Sequence, residues 1–146
     1  MVFMADEYQS YPGNNHTLYK EARTERGSIS TYDGVVLADS VQADDGGYTR
    51  EYPQGSLAAH LVGYYSQVYG ASGIEASQSN ALKGDSSFAS WTDVVNSMAG
   101  IEAPGNDVRL TINSEIQKTA ESVLEGYKGA VVVMNPKTGA VLACAS

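Results

Sequence analysis

Few residues in this chain could do chemistry, and their spacing argues against an active site. Ser56 and His60 stand one helical turn apart on a stretch with helical spacing, which would let an imidazole take a proton from a hydroxyl. Nucleophilic catalysis also needs an acid to orient the base and donors to receive the oxyanion, and neither accompanies the pair, so His60 is read as a hydrogen-bonding packing residue. Lys137-Thr138-Gly139 matches a tripeptide that lines the site in one class of serine acyltransferases. That class attacks with the serine of a Ser-x-x-Lys motif, and no serine here is followed by lysine at that spacing, nor is there a Ser-x-Asn element. The tripeptide is therefore read as the far side of an Asn-Pro turn, with Lys137 in water and Gly139 supplying an unusual φ. His16 and His60 belong to no metal-ligand motif, and Asp44-Asp45 before Gly46-Gly47 lacks calcium-loop spacing and reads as a solvated turn. No glycine loop suited to phosphate is present. The single cysteine, Cys144, allows no internal disulfide and reads as a small packing residue. No cofactor and no metal are expected.

Composition narrows the class further. With 146 residues, 42% of them hydrophobic, the chain has enough material for one domain or two small lobes, burying roughly 70% of its unfolded surface. A net charge of −8 repels phosphate, and the cations do not cluster, which excludes a nucleic-acid partner or an anionic lipid surface. Ten tyrosines against two phenylalanines suit aromatic surface with one wet edge, as in a thin or elongated domain. No apolar run is long enough to span a membrane, and the stretch from Met1 to Pro12 lacks the basic start and apolar middle of a signal peptide. Taken literally the chain is soluble and untargeted, although Met4 so close behind Met1 also fits a start placed after an upstream segment.

The elements that would position these residues follow from local pattern. Residues 1–25 are polar, tyrosine-rich and aperiodic, an extended arm. Ser28-Ile29-Ser30 and Val35-Val36-Leu37-Ala38 flank Asp33-Gly34, which predicts a hairpin. Tyr52-Pro53-Gln54-Gly55 is a turn, and Leu57, Leu61 and Tyr64 predict a short helix within 56–65. Ile74 to Leu82 predicts a second helix, closed by Gly84. Phe88, Trp91, Val94, Val95 and Met98 share one face of a helix over 86–100. After the linker Pro104-Gly105-Asn106-Asp107, Val108 to Ile112 alternates as a strand. Asn113 then caps a helix with Ile116, Ala120, Val123, Leu124 and Tyr127 in one apolar stripe. Ala130 to Met134 and Ala140 to Ala143 complete a hairpin with a buried face. Hairpins at both ends with helices between them predict an α+β fold.

Read in order, several segments match a known pattern. They are Arg26-Gly27-Ser28-Ile29 with Asp33-Gly34 and Leu37-Ala38, and then Arg50-Glu51-Tyr52-Pro53 with Gly55, Ala58-Ala59-His60 and Gly63-Tyr64. Gly70, Gly73-Ile74-Glu75 and Leu82-Lys83-Gly84 come next, followed by Leu110-Thr111-Ile112-Asn113 with Gln117 and Glu121. The last is Gly129 to Ala143, with Asn135-Pro136-Lys137-Thr138-Gly139 inside it. This succession resembles the non-catalytic N-terminal module of class B penicillin-binding proteins, and within them the actinobacterial A-type members. The resemblance implies a parent anchored by one N-terminal helix on the extracytoplasmic side of the bacterial membrane, with a pedestal module and then a D,D-transpeptidase acting on peptidoglycan. It implies an elongated module divided as arm 1–25, pedestal lobe 26–106, and a strand-helix-hairpin 107–146 leading into a transpeptidase domain missing from this chain.

No catalytic residue carries over from that family, so the chain is expected not to be an enzyme. Arg26, Gly27, Arg50, Tyr52, Pro53, Gly55, His60, Gly63, Gly73, Glu75 and Gly84 carry over as structural motif positions. The implied role is to position the transpeptidase in cell-wall synthesis or division. The alternative is a self-associating or partner-binding module of that machinery. Expected partners are the parent's own transpeptidase domain, other cell-wall or division proteins, and a second copy. Arg26 and Arg50 suit paired contacts with a carboxylate, Glu75 being one candidate.

Overall fold

A computed structural model describes residues 24–66, 68–84 and 105–146. The arm expected over 1–25, apart from its last two residues, lies outside these, as does the helix expected over 86–100 with Trp91. Ile29–Ser30 (β1) and Val36–Gln42 (β2) form the first hairpin, antiparallel, with Ile29 opposite Ala38. Its turn closes because Gly34 takes φ 87° while Thr31 donates its N–H to the Val35 carbonyl at 2.9 Å and accepts the Val35 N–H on Oγ1 at 3.0 Å. Tyr48–Glu51 (β3) returns antiparallel along β2, with Arg50 opposite Ser40.

The helix expected within 56–65 is confined to Ala59–Val62 (α1). Residues 53–58 are turn, and Ala58 sits at φ 53°, a left-handed conformation that a helix cannot include. Tyr64 is therefore half exposed instead of lying on a buried helical face. Tyr65–Ser66 (β4) and Gly70–Ala71 (β5) pair as a small antiparallel ribbon. The expected helix from Ile74 to Leu82 is split into Gly73–Ser77 (α2) and Ser79–Leu82 (α3) at Gln78. Serines and asparagine favour such breaks because they compete for backbone bonds; the Ser77 hydroxyl reaches back to the Ile74 carbonyl at 3.4 Å.

Only Val108–Arg109 (β6) of the expected strand joins a ladder. It runs parallel to β1, giving a four-stranded sheet in the order β3-β2-β1-β6. Ser114–Leu124 (α4) follows, capped as expected: Asn113 Oδ1 accepts the N–H groups of Glu115 and Ile116, each at 3.1 Å. Val131–Met134 (β7) and Val141–Ala145 (β8) form the last hairpin.

Two apolar clusters result. Ile29, Leu37, Ala38, Leu57, Ala58, Val62 and Leu82 fill the space between sheet and helices, each large side chain contributing about 1.5–3 kcal/mol by leaving water. Ala120, Ala143 and Ala145 form the second, flanked by Ile116, Leu124, Val131 and Val133. The stripe expected on α4 is corrected here: Val123 is 63% exposed, because the small alanines of β8 cover only a narrow band of the helix, and Tyr127, 79% exposed, lies beyond the helix end at Leu124. The fold is α+β, and among the described residues no helix is long and apolar enough to cross a membrane.

Candidate functional site

Of the motif positions, Arg26, Arg50 and Glu75 come together from three distant stretches of chain into one buried ionic centre. Glu75, on α2, is fully buried. Its Oε2 accepts the Arg26 Nε–H at 2.8 Å and its Oε1 accepts the Arg50 Nε–H at 2.7 Å. Of the other guanidinium nitrogens, three reach main-chain carbonyls or hydroxyls, and Arg50 Nη2 is buried with no hydrogen-bond partner among the described residues. Arg26 Nη2 donates to the Glu75 carbonyl at 2.6 Å, and Arg50 Nη1 to the Gly27 carbonyl at 2.8 Å and to Ser40 Oγ at 3.1 Å. Ser40 in turn donates to the Arg26 carbonyl at 2.7 Å, and the Tyr65 ring lies 4.4 Å from the Arg26 guanidinium carbon. Two cations share one carboxylate away from water, so the centre is held by geometry and cannot lose a member cheaply. Tyr52 borders it and accepts the Tyr65 N–H at 2.8 Å. Burial, and then the nearby Glu75 charge, push its phenol up from the ordinary value.

The glycines of the motif set how closely backbones approach this centre. At Gly63 (φ 78°) a Cβ would stand 2.2 Å from the Ser72 carbonyl oxygen, and at Gly73 (φ 58°) one would stand 2.6 Å from that of Leu61. These two positions pin the end of α1 against the start of α2. Gly27 lies where the chain crosses Asn106 and donates its N–H to the Leu82 carbonyl at 2.9 Å. Pro53 and Gly55 belong to a turn closed by the Gly55 N–H on the Tyr52 carbonyl at 2.9 Å, and Gly84 follows α3.

His60 stands apart from that centre. Its Nε2 lies 2.8 Å from the Cys144 carbonyl of β8. A carbonyl only accepts, so Nε2 carries the proton and donates, and this nitrogen is not a base aimed at Ser56. Cys144 is half-buried, and its main chain is what the fold uses. Gln117, fully buried, donates Nε2–H to the Cys144 carbonyl and accepts the Cys144 N–H on Oε1, both at 2.8 Å. Its carboxamide thus stands where a neighbouring strand would. Glu121 Oε1 accepts from Gln117 Nε2 and from the Ala58 N–H, each at 2.8 Å.

Sequence reasoning missed the role of Asp33, which it read only as half of a turn. Its Oδ1 accepts the Ser114 N–H at 3.0 Å and its Oδ2 accepts the Ser114 hydroxyl, so a carboxylate sits on the N-terminal turn of α4. The Ser114 hydroxyl, then the Thr31 hydroxyl and the Ser114 N–H, hold the Asp33 carboxyl well below the usual carboxylate range. Because the folded pKa is depressed, the contact stabilises the fold fully above the ordinary unfolded value of about 3.9 and is lost progressively as pH falls from there through the much lower folded value. Asp33→Ala is therefore expected to lower the urea midpoint at pH 7, with the gap from the parent constant down to about pH 4 and narrowing progressively below it. A gap independent of pH would count against this. Ser40 was also missed; a lone strand serine carries no signal of a buried carbonyl waiting for it.

The chain matches the family described as the penicillin binding protein A dimerisation domain over residues 26–108. The peptidoglycan D,D-transpeptidase PbpA of Mycolicibacterium smegmatis is 31% identical over 99% of this chain. The chain spans only 30% of that relative's length. Among solved structures, the D,D-transpeptidase domain of a peptidoglycan glycosyltransferase from Eggerthella lenta is 53% identical with a TM-score of 0.72, over 86% of this chain and 26% of that one. Penicillin-binding protein A from M. tuberculosis, as its imipenem acyl-enzyme, is 31% identical with a TM-score of 0.76, over 86% of this chain and 30% of that one.

Proposed function

Because the chain belongs to the penicillin-binding protein A dimerisation-domain family, we propose that it works as a non-catalytic pedestal, positioning a peptidoglycan D,D-transpeptidase domain on the extracytoplasmic side of a bacterial membrane during cell-wall synthesis or division. Residues 26–106 form the lobe and 107–146 the strand-helix-hairpin that leads towards the catalytic domain. The observation that carries this reading is the destination of the motif residues. Arg26, Arg50 and Glu75 converge on one another and not on a cleft, and His60 binds main chain. Side chains arranged in this way hold a shape; they do not present groups to a substrate.

Incubation of the 146-residue chain with fluorescent penicillin is expected to leave it unlabelled, and a covalent adduct would overturn the reading. In a longer protein carrying a transpeptidase domain, excision of residues 26–106 is expected to preserve penicillin acylation and to abolish peptidoglycan cross-linking in cells. Full cross-linking after excision would remove the positioning role.

A second reading, self-association, is favoured by the edge of β7. Gln117 takes the Cys144 N–H and carbonyl, so the Val132–Cys144 pair is of the non-hydrogen-bonded kind and Val132 turns its own peptide groups away from β8. Val132 and Met134 side chains are 55% and 54% exposed beside that edge. Two copies pairing along β7 would extend the sheet. A monomer by light scattering at high concentration would exclude this.

A further inference from the structure

Building on the positioning reading, we propose that α4 is clamped by the lobe at two points, Asp33 at its first residue and the Ala58–Glu121 and His60–Cys144 contacts near its far end, so that the β7–β8 hairpin leaves the lobe in one fixed direction. The two hydrophobic clusters have no member in common. Apolar packing alone therefore leaves their mutual orientation weakly specified, and polar contacts must set it.

One point of attachment is the turn of the first hairpin. Asp33 holds Ser114, and the Tyr32 N–H donates to the Ile112 carbonyl at 2.8 Å. By itself this would be a pivot. The second point lies two helical turns further on, about 10 Å along the axis at 1.5 Å per residue. There Glu121 receives the Ala58 N–H, and His60 holds β8 at Cys144. Gln117 braces this point, because it bonds both Glu121 and Cys144 and so joins helix to strand from inside the core. Ala58 is, among the described residues, the non-glycine with positive φ. A left-handed alanine is held against steric strain, and here the N–H of that strained residue is the one given to Glu121. Two attachments on a rigid rod fix its direction where one would not.

The test reads orientation directly. Amide residual dipolar couplings from β2 and β3 and from α4, β7 and β8 are expected to fit a single alignment tensor in the parent chain. In His60→Ala/Glu121→Ala, and separately in Asp33→Ala, the two sets are expected to need different tensors, while chemical shifts within each set show both parts still folded. Glu121→Gln keeps an oxygen acceptor for the Ala58 N–H and is expected to retain one tensor. A single tensor in both alanine variants overturns the clamp, as does a split tensor in Glu121→Gln. If the double variant does not fold, Asp33→Ala decides alone, since its side chain lies on an exposed turn. These couplings report geometry within the chain, so the clamp can fail while the excision assay still supports the pedestal, and the reverse.

Discussion

Glu75→Ala is expected to remove about 3–5 kcal/mol of unfolding free energy, much of what a domain of this size has in total, about 5–15 kcal/mol. The loss is not that of two salt bridges. With Glu75 gone, the Arg26 and Arg50 side chains, 6% and 4% exposed, are left as two buried cations with no anion between them. The carbonyl oxygens of Gly27 and of residue 75 can satisfy protons on those guanidinium groups but cannot neutralise them. Relief requires the cations to reach water, which means opening the contact between β3 and α2. Thermal and urea unfolding of the single and paired alanine variants at Arg50 and Glu75 checks this. Strong non-additivity is expected, because once either partner is gone the other has less to lose. Strictly additive losses would show that the two side chains do not act as a unit. Replacing all three charges together with apolar residues of similar volume is expected to cost much less than Glu75→Ala alone, since no unpaired charge remains.

The second large effect is expected at Gly63, and Gly55 is its control. Both have positive φ, 78° and 59°. At Gly55 nothing lies within 4 Å of an added Cβ, whereas at Gly63 the Ser72 carbonyl oxygen stands at 2.2 Å and Ser72 Oγ at 2.7 Å. Gly63 also has ψ −148°, in a region that residues with a side chain essentially do not occupy. Gly55→Ala should therefore cost only the left-handed penalty, about 1–2 kcal/mol. Gly63→Ala adds an overpacking cost of about 1–3 kcal/mol, because the obstructing atoms are largely main chain. Denaturant midpoints of the two variants separate these contributions, and equal losses would show that Ser72 moves aside.

Legibility from sequence followed the range of the signal. The Asp33-Gly34 turn, the Asn113 cap and the last hairpin are set within a few residues, and each forms where local pattern placed it. The stretch around α1 departs from its periodicity because a tertiary contact overrides it, whereas α2 and α3 part at Gln78 for a local reason, serine and asparagine side chains competing for backbone bonds. Ala58 leaves helical space with its N–H on Glu121, far along the chain, which no local spacing can reveal. Arg26, Arg50 and Glu75 were visible as motif positions, and their meeting could be suggested because buried arginines require a carboxylate. The role of Asp33 was hidden behind a sufficient explanation, since Asp-Gly already accounts for a turn. Gln117 was visible in the matched pattern, but its role was hidden by composition, since a polar residue on a helix is expected to face water and this one lies in the core.

That buried carboxamide changes how β8 comes loose. A strand with an open side ordinarily opens one peptide group at a time, without disturbing what lies beneath. Here the peptide of Cys144 cannot be released until Gln117 gives it up. Gln117 then has no other partner for its oxygen among the described residues, so peeling back the strand strands a polar group inside the core. The opening of β8 is thereby made part of the cooperative unfolding of α4 and, through Glu121, of the turn at Ala58.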